Sequence, residues 1–175
     1  MRKHSGMRPQ DVVVLLKILT LNSASWQGKD LATALFISPA EISDALRRCQ
    51  YARLLLADGR TVQRQAFLRF LRHGLPYVFP AHPGGPAQGI VTAWSAWPGL
   101  EPAPARGELG HVWADPAGSA WGLAVPPLYT TLPSSAHNST AWHQLLALLD
   151  VLRLDAAPQR NDAYELLCQL LPQTL

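Results

Sequence analysis

The sequence has little cysteine and no long apolar run. Its two cysteines, Cys49 and Cys168, belong to no CxxC or Cys/His pattern, which argues against a disulfide scaffold and against a zinc site. No uncharged apolar stretch of about 18 residues is present, so neither a membrane span nor a secretory signal is predicted. We therefore expect a folded cytoplasmic protein that needs no metal and no cofactor.

The motifs of the common enzyme classes are also missing. No GxGxxG, GxSxG, P-loop or HExxH pattern occurs, and the six histidines are scattered without ligand spacing. His111 and Asp115 are the pair that best suggests acid-base chemistry, but a histidine beside a turn is far more often a surface residue. The sequence therefore predicts a protein that is not an enzyme.

What is present is a strong charge asymmetry along the chain. Residues 1–73 contain 12 Lys and Arg against five Asp and Glu, a net charge of +7, whereas the remainder contains three against seven, a net charge of −4. A polyanion is the partner that a basic segment favours. Composition changes at the same place, because residues 74–137 hold 11 of the 15 prolines. We predict two domains, residues 1–74 and residues 75–175.

The first domain is predicted to begin with three helices. Helical spacing covers residues 9–22 and a shorter segment from Ser25 to Phe36. A third helix follows Ser38, where an N-cap serine, a proline at the first helical position and Glu41 at capping-box spacing coincide. Its outer face is polar and partly basic, and its inner stripe consists of Ile42, Ala45, Leu46 and Cys49.

A small hairpin and a fourth helix complete this domain. Short strands are expected at residues 53–56 and 60–62, with Arg60 at the tip of the turn between them. The fourth helix covers residues 63–73 and ends at Gly74. This order of elements is typical of a winged helix-turn-helix, in which the third helix enters the major groove of DNA.

The second domain is predicted to be a small proline-rich module with one β-hairpin and two helices. The hairpin joins residues 111–114 to residues 121–125 through an Asp-Pro-Ala-Gly turn. The helices cover about residues 139–153 and 161–171, with Asn161 as the N-cap of the second. The two domains together give an α+β fold.

Two groups of apolar residues in this module leave alternatives open. An aromatic group either forms its core or lines a pocket or groove for an effector or partner. The leucines of the last two helices form more apolar surface than one helical hairpin needs. A dimer interface is one way to bury this surface. The aromatic group consists of Trp94, Trp97, Trp113, Trp121, Tyr129 and Trp142, and the leucines include Leu145, Leu146, Leu148, Leu149, Leu152, Leu166, Leu167, Leu170 and Leu171.

Residues 37–55 resemble the corresponding segment of MarR-like winged-helix regulators. The family string Leu-Ser-x-x-x-Val-Ser-x-x-Leu-x-x-Leu-x-x-x-Gly-Leu-Leu is approximated by ISPAEISDALRRCQYARLL. The resemblance extends over about the first 73 residues. It departs from the family at Arg53, where glycine is common, and in the shortness of the wing. It implies a sequence-specific transcriptional regulator that binds double-stranded DNA.

The resemblance also implies which side chains face the DNA. Arg47 would bind guanine through two hydrogen bonds, Asp44 would accept one from cytosine, and Ser43 would read either kind of base. A solvated helix face is the alternative for Arg47 and Arg48, and the acidic groups of Asp44 and Glu41 count against DNA. The implied phosphate ligands are Lys29, Arg48 and Arg60, and the full set is Lys29, Ser38, Pro39, Ala40, Ser43, Asp44, Arg47, Arg48 and Arg60.

The sequence thus supports two hypotheses on function. The first is a homodimeric regulator, a repressor or autoregulator, that reads DNA with its first domain and binds a partner or effector with its second. The second is an interaction protein, such as an antitoxin-like or defence-system accessory subunit, whose second domain binds a cognate protein. Genomic neighbourhood separates them, because an adjoining toxin or effector gene would favour the second.

Overall fold

The computed structural model describes residues 6–21, 23, 25–97, 108–154 and 160–172, and these form an α+β fold. The helices of the first part are α1 (Pro9–Leu21), α2 (Gly28–Leu35), α3 (Pro39–Tyr51), α4 (Arg64–His73) and the short α5 (Leu75–Val78). The strands are β1 (Pro86–Thr92), β2 (His111–Ala114) and β3 (Ala120–Ala124), with a 3-10 turn at Ala93–Ala96 after β1. The last helices are α6 (Leu132–Ala136), α7 (Thr140–Arg153) and α8 (Arg160–Leu170).

The helices predicted in the first part are confirmed with shifts at their ends. α1 begins at Pro9 as expected, and its predicted last residue, position 22, lies outside the described residues. Arg2 and Lys3, counted in the basic segment, also lie outside them. α2 is shorter than expected because its first turn begins at Gly28. α3 follows Ser38, whose Oγ accepts a hydrogen bond from the Glu41 backbone N–H at 3.2 Å, so the serine cap is confirmed.

Glu41 does not play the part that the capping-box spacing predicts. Its Oε2 accepts a hydrogen bond from Gln10 Nε2 at 2.6 Å and lies 3.5 Å from Arg8 Nη1. The carboxylate therefore joins the first turn of α3 to the start of α1 instead of closing the cap of its own helix. Local spacing does not reveal this contact, because Gln10 and Glu41 are 31 positions apart.

The hairpin predicted after α3 is reduced to a turn with one bridge. Leu55 and Val62 form a single antiparallel bridge, and the two predicted strands are therefore too long. Asp58 stabilises the turn, because its carboxylate accepts hydrogen bonds from the backbone N–H groups of Arg60 and Thr61 at 2.8 and 2.9 Å. The segment is a short, tightly bonded loop that leaves α3 and returns to α4.

The chain leaves α3 through a residue in the left-handed conformation. Ala52 is the C-cap, and Arg53 follows with a φ of +59°. The Leu54 N–H donates to the Cys49 carbonyl oxygen at 3.0 Å, so the end of the helix is closed as in caps built on glycine. The backbone here adopts the conformation that glycine favours, although the side chain is arginine.

The hairpin predicted at residues 111–125 is wrong in its pairing. The strands form near the expected positions, and the turn between them closes with Gly118 N–H donating to Asp115 O at 2.9 Å. Both strands pair antiparallel with β1. The second half of β1 pairs with β2 and its first half pairs with β3, so β2 and β3 run parallel to each other. The three strands close into a small barrel. Gly89 permits this closure, because a Cβ there would overlap the Trp113 carbonyl oxygen.

One hydrophobic core joins the two predicted domains. α7 lies at its centre, with every residue from Leu145 to Arg153 buried, and it contacts α4, α5, α6, α8 and β1. The buried cluster extends from Val12 to Leu171. The leucines of α7 are thus covered by the chain itself, which removes the argument for a dimer interface on them. On α8 only Leu170, among its described leucines, is exposed, at 44%.

Most of the aromatic group belongs to the core, as the first alternative predicts. Trp113 and Trp142 are buried, three others pack against the core, and Trp121 is 62% exposed. A cavity of about 230 Å³ beside β1 has none of these aromatics in its lining. Asn161 lies in the first turn of α8 and is not its N-cap. Among the described residues, no helix is long and apolar enough to cross a membrane.

Candidate nucleic-acid interface

α3 presents one continuous exposed face. Residues three or four apart lie on the same side of a helix, and the exposed residues of α3 follow this spacing. The opposite side carries the buried residues Ile42, Ala45 and Cys49, and the helix packs against α1 and α2. This exposed face includes the N-cap and the first residues of the helix. It consists of Ser38, Pro39, Ala40, Ser43, Arg47 and Tyr51.

Arg47 lies in the middle of this face, paired with Asp44. Its side chain is 62% exposed, and Nη2 lies 2.6 Å from Asp44 Oδ1, on a side chain that is 25% exposed. An exposed pair of this kind adds little stability. The pair does offset the negative charge of Asp44, which counts against DNA binding. It also orients the Arg47 guanidinium, which has further N–H donors for a ligand.

Arg48 does not lie on this face, and the prediction that it binds phosphate is wrong. Its side chain is 6% exposed, and its Nε and Nη2 donate to the two carboxylate oxygens of Asp11 at 2.8 and 2.6 Å. The side chains of consecutive helical residues point about 100° apart, so Arg48 points towards α1 whereas Arg47 points to solvent. The residue holds α3 in place and is not available to a polyanion.

Residues at the start of α1 contact both ends of α3. Arg8 and Gln10 bind Glu41 in the first turn of α3, and Asp11 binds Arg48 in its last turn. These contacts fix the direction of the exposed face relative to the rest of the fold. Sequence reasoning misses them, because an acid in one helix gives no sign of which basic residue in another helix it will meet.

Lys29 and Arg60 are exposed outside this face, on α2 and on the turn after α3. Lys29 is exposed in the first turn of α2. Arg60 is also exposed, but its Nη1 donates to the Trp26 carbonyl oxygen at 2.8 Å, and its guanidinium lies 5.4 Å from the centre of the Trp26 ring. The turn is thus folded against Trp26, which precedes α2 in the chain.

Tyr51 extends the face by one further turn, and sequence reasoning misses it. It is 71% exposed at the C-terminal end of α3. The signal was available, because Tyr51 follows Arg47 at the i+4 spacing that defines one side of a helix. A large exposed aromatic group on the same side as an arginine gives this face both a cation and an apolar contact surface.

Three side chains of the second half bind the turn between α2 and α3. Asn138 Nδ2, Tyr129 OH and Thr131 Oγ1 donate to the consecutive carbonyl oxygens of residues 34–36 at 2.8 to 3.0 Å. Burial raises the pKa of Tyr129 to about 12, still further above neutral pH than its ordinary value of 10.0, and the protonated hydroxyl is the donor. These bonds satisfy carbonyls that the end of α2 would otherwise leave unpaired. They also fix the turn from which α3 starts.

Comparisons of the chain with protein-family models, with curated proteins and with solved structures gave no match. Seven of the nine implied DNA ligands are exposed, five of them on the exposed face of α3 and two, Lys29 and Arg60, on other elements. Asp44 is half-buried next to Arg47, and Arg48 is removed to the interior.

Proposed function

We propose that the protein is a sequence-specific DNA-binding transcriptional regulator whose first part is a winged helix-turn-helix. The observation that carries the proposal is the exposed face of α3, which begins at a serine-capped end and carries Arg47 at its centre. A short turn precedes this helix, and a short bonded loop follows it. In such an arrangement the helix enters the major groove and the loop lies along the phosphates.

Charge supports duplex DNA as the ligand. Residues 1–73 carry a net charge of +7, and the remainder carries a net charge of −4. Lys29 and Arg60 are the proposed phosphate ligands, and Arg47 and Ser43 are the proposed base-reading residues. We propose in addition that two copies bind two half-sites of one operator, which sedimentation of the protein with and without duplex would test.

Replacing Arg47 with Ala tests the base-reading role. Binding to a duplex selected from a random library is expected to weaken by about 1–3 kcal/mol, with relaxed preference at one base pair. Fluorescence anisotropy at fixed salt measures the change. Arg69→Ala is the matched control, because Arg69 is an exposed arginine of α4 and its loss removes the same charge. Equal effects of the two substitutions would refute the assignment of Arg47.

Replacing Arg60 with Ala tests the phosphate role. Affinity for the selected duplex and for random duplexes is expected to fall by a similar factor, and the slope of log affinity against log salt is expected to decrease by about one. The same anisotropy titrations, repeated at several salt concentrations, provide both values. A loss confined to the selected duplex would contradict the role.

A second candidate function, binding of a cognate protein, is favoured by Tyr51 and Asp44. A 71% exposed tyrosine on the face of α3, with a half-buried acidic group next to Arg47, suits a protein surface as well as a groove. This candidate gains support if no duplex binds at low salt and the purified product of a neighbouring gene binds the chain directly. It loses support if salt-dependent duplex binding is found.

A further inference from the structure

Two strained residues lie at the two ends of α3. In the described part of the chain, three residues other than glycine have a positive φ: Phe36 at 54°, Arg53 at 59° and Ala93 at 50°. This conformation costs free energy for a residue with a Cβ and almost none for glycine. Phe36 precedes the N-cap Ser38 by two residues, and Arg53 follows Tyr51 by two.

The fold needs the backbone conformation at these two positions but makes little use of the side chains. Phe36 ends α2 as its C-cap, yet its ring is 53% exposed and is not among the apolar groups packed against the core. Arg53 is exposed, and its guanidinium makes no hydrogen bond or ion pair with the described residues. Glycine would adopt this backbone conformation at both positions without the strain. Strained residues of this kind cluster at binding sites.

Ala93 provides the internal comparison. It has the same left-handed conformation, but it is fully buried at the start of the 3-10 turn after β1. Its small side chain is covered by the core, whereas Phe36 and Arg53 leave an aromatic ring and a cation in solvent. Of the three residues, only Phe36 and Arg53 therefore have side chains that a ligand can reach.

We propose that Phe36 and Arg53 contact duplex DNA at the two ends of α3, an inference that rests on the proposed function. The 13 residues of α3 span about 20 Å, more than the width of about 12 Å of the major groove. A helix whose N-terminal end lies in the groove therefore brings its C-terminal end to a phosphate strand. Phe36 contacts a thymine methyl group at the first end, and Arg53 binds a phosphate at the second.

The test replaces each strained residue with glycine: Phe36→Gly, Arg53→Gly and, as the control, Ala93→Gly. The thermal midpoint of the first two is expected to stay level or rise, because glycine relieves the backbone. For Phe36→Gly, affinity for a selected duplex should fall about tenfold, and replacing the contacted thymine with uracil should cause no further loss. For Arg53→Gly, affinity for all duplexes should fall, with a salt slope smaller by about one.

The outcomes separate this inference from the proposed function. Ala93→Gly is expected to bind as the unchanged protein does. Glycine variants of Phe36 and Arg53 that also bind unchanged would overturn the inference while the proposed function stands, and an unchanged protein that binds no duplex at low salt would overturn both. Should a glycine variant lose stability, Phe36→Asn and Arg53→Asn decide in the same way, because asparagine tolerates the left-handed conformation.

Discussion

At the scale of single residues, two adjacent arginines of α3 have opposite environments. Arg47 is 62% exposed beside Asp44, and Arg48 is 6% exposed in a two-bond ion pair with Asp11. In the sequence both read as members of one polar face. The difference comes from the position of Arg48 at the edge of the apolar stripe and from the presence of a buried acid in α1, which no local pattern of α3 reveals.

Replacing Arg48 with Met is expected to lower the free energy of unfolding by about 3–5 kcal/mol, because the buried Asp11 carboxylate loses its ion-pair partner and keeps, among the described residues, only the hydrogen bond from the Arg8 backbone N–H. Urea denaturation measures the change. Arg47→Met is the matched control, with an expected change within about 0.5 kcal/mol, as for most surface positions. The pair Asp11→Leu with Arg48→Met should recover most of the loss, and a double variant no more stable than Arg48→Met would contradict this account.

His111 is expected to make the stability of the fold depend on pH. Its Nδ1 accepts a hydrogen bond from Trp94 Nε1 at 2.8 Å, which requires the neutral ring. Burial lowers the pKa of His111 from its ordinary value of 6.5, against a smaller opposite effect of Asp150. The unfolded chain then binds the proton more readily, so stability present above pH 6.5 is lost as the pH falls below it.

The measurement is urea denaturation at about pH 7.5 and about pH 5.5, compared between the unchanged protein and His111→Gln. The loss of stability at the lower pH is expected to be smaller in the variant, because glutamine does not titrate in this range. Equal losses in the two proteins would show that other groups cause the pH dependence.

At the scale of elements, helices could be predicted from the sequence and strand pairing could not. Hydrophobic spacing and caps locate α1, α3, α4 and α7, because these signals are local. β1 gives no such signal, since it follows a run of proline and glycine, and the pairing of β2 and β3 with it depends on contacts distant in the chain. The exposed face of α3 was likewise predictable, whereas the side chains that hold it were not.

Tyr129→Phe is expected to loosen the junction between α2 and α3. The variant keeps the ring but loses the hydroxyl that donates to the Leu35 carbonyl oxygen at 3.0 Å, a loss of about 1–2 kcal/mol. Amide hydrogen exchange is expected to accelerate at residues 36–38 more than in α8. Uniform acceleration across the chain would mean that the bond supports only global stability.

At the scale of the whole molecule, the two halves are parts of one core and are also joined at the surface. Arg64 of α4 donates hydrogen bonds to the Cys168, Leu171 and Pro172 carbonyl oxygens at the end of α8. The Arg72 guanidinium lies 4.7 Å from the centre of the Tyr164 ring. The proposed DNA-binding part is therefore held in place by the part that follows it.

A fragment of residues 1–78 is therefore expected not to fold independently. It retains α1 to α5 but exposes the buried Phe67, Leu71 and Leu75, on helices that contact α7 in the whole chain. Small domains have a narrow margin of stability, so this loss of apolar burial is expected to unfold the fragment. Thermal denaturation followed by circular dichroism is expected to show no cooperative transition. A sharp transition in the fragment would contradict the account and would separate the two halves as domains.

The central claim is that the exposed face of α3 reads duplex DNA, and a competition measurement tests it most directly. The full chain is titrated into a labelled duplex selected from a random library, with an excess of unlabelled random duplex, at several salt concentrations. The account predicts binding that resists the competitor and an affinity that falls steeply with salt. Complete displacement by the competitor, or no binding even at low salt, would contradict it.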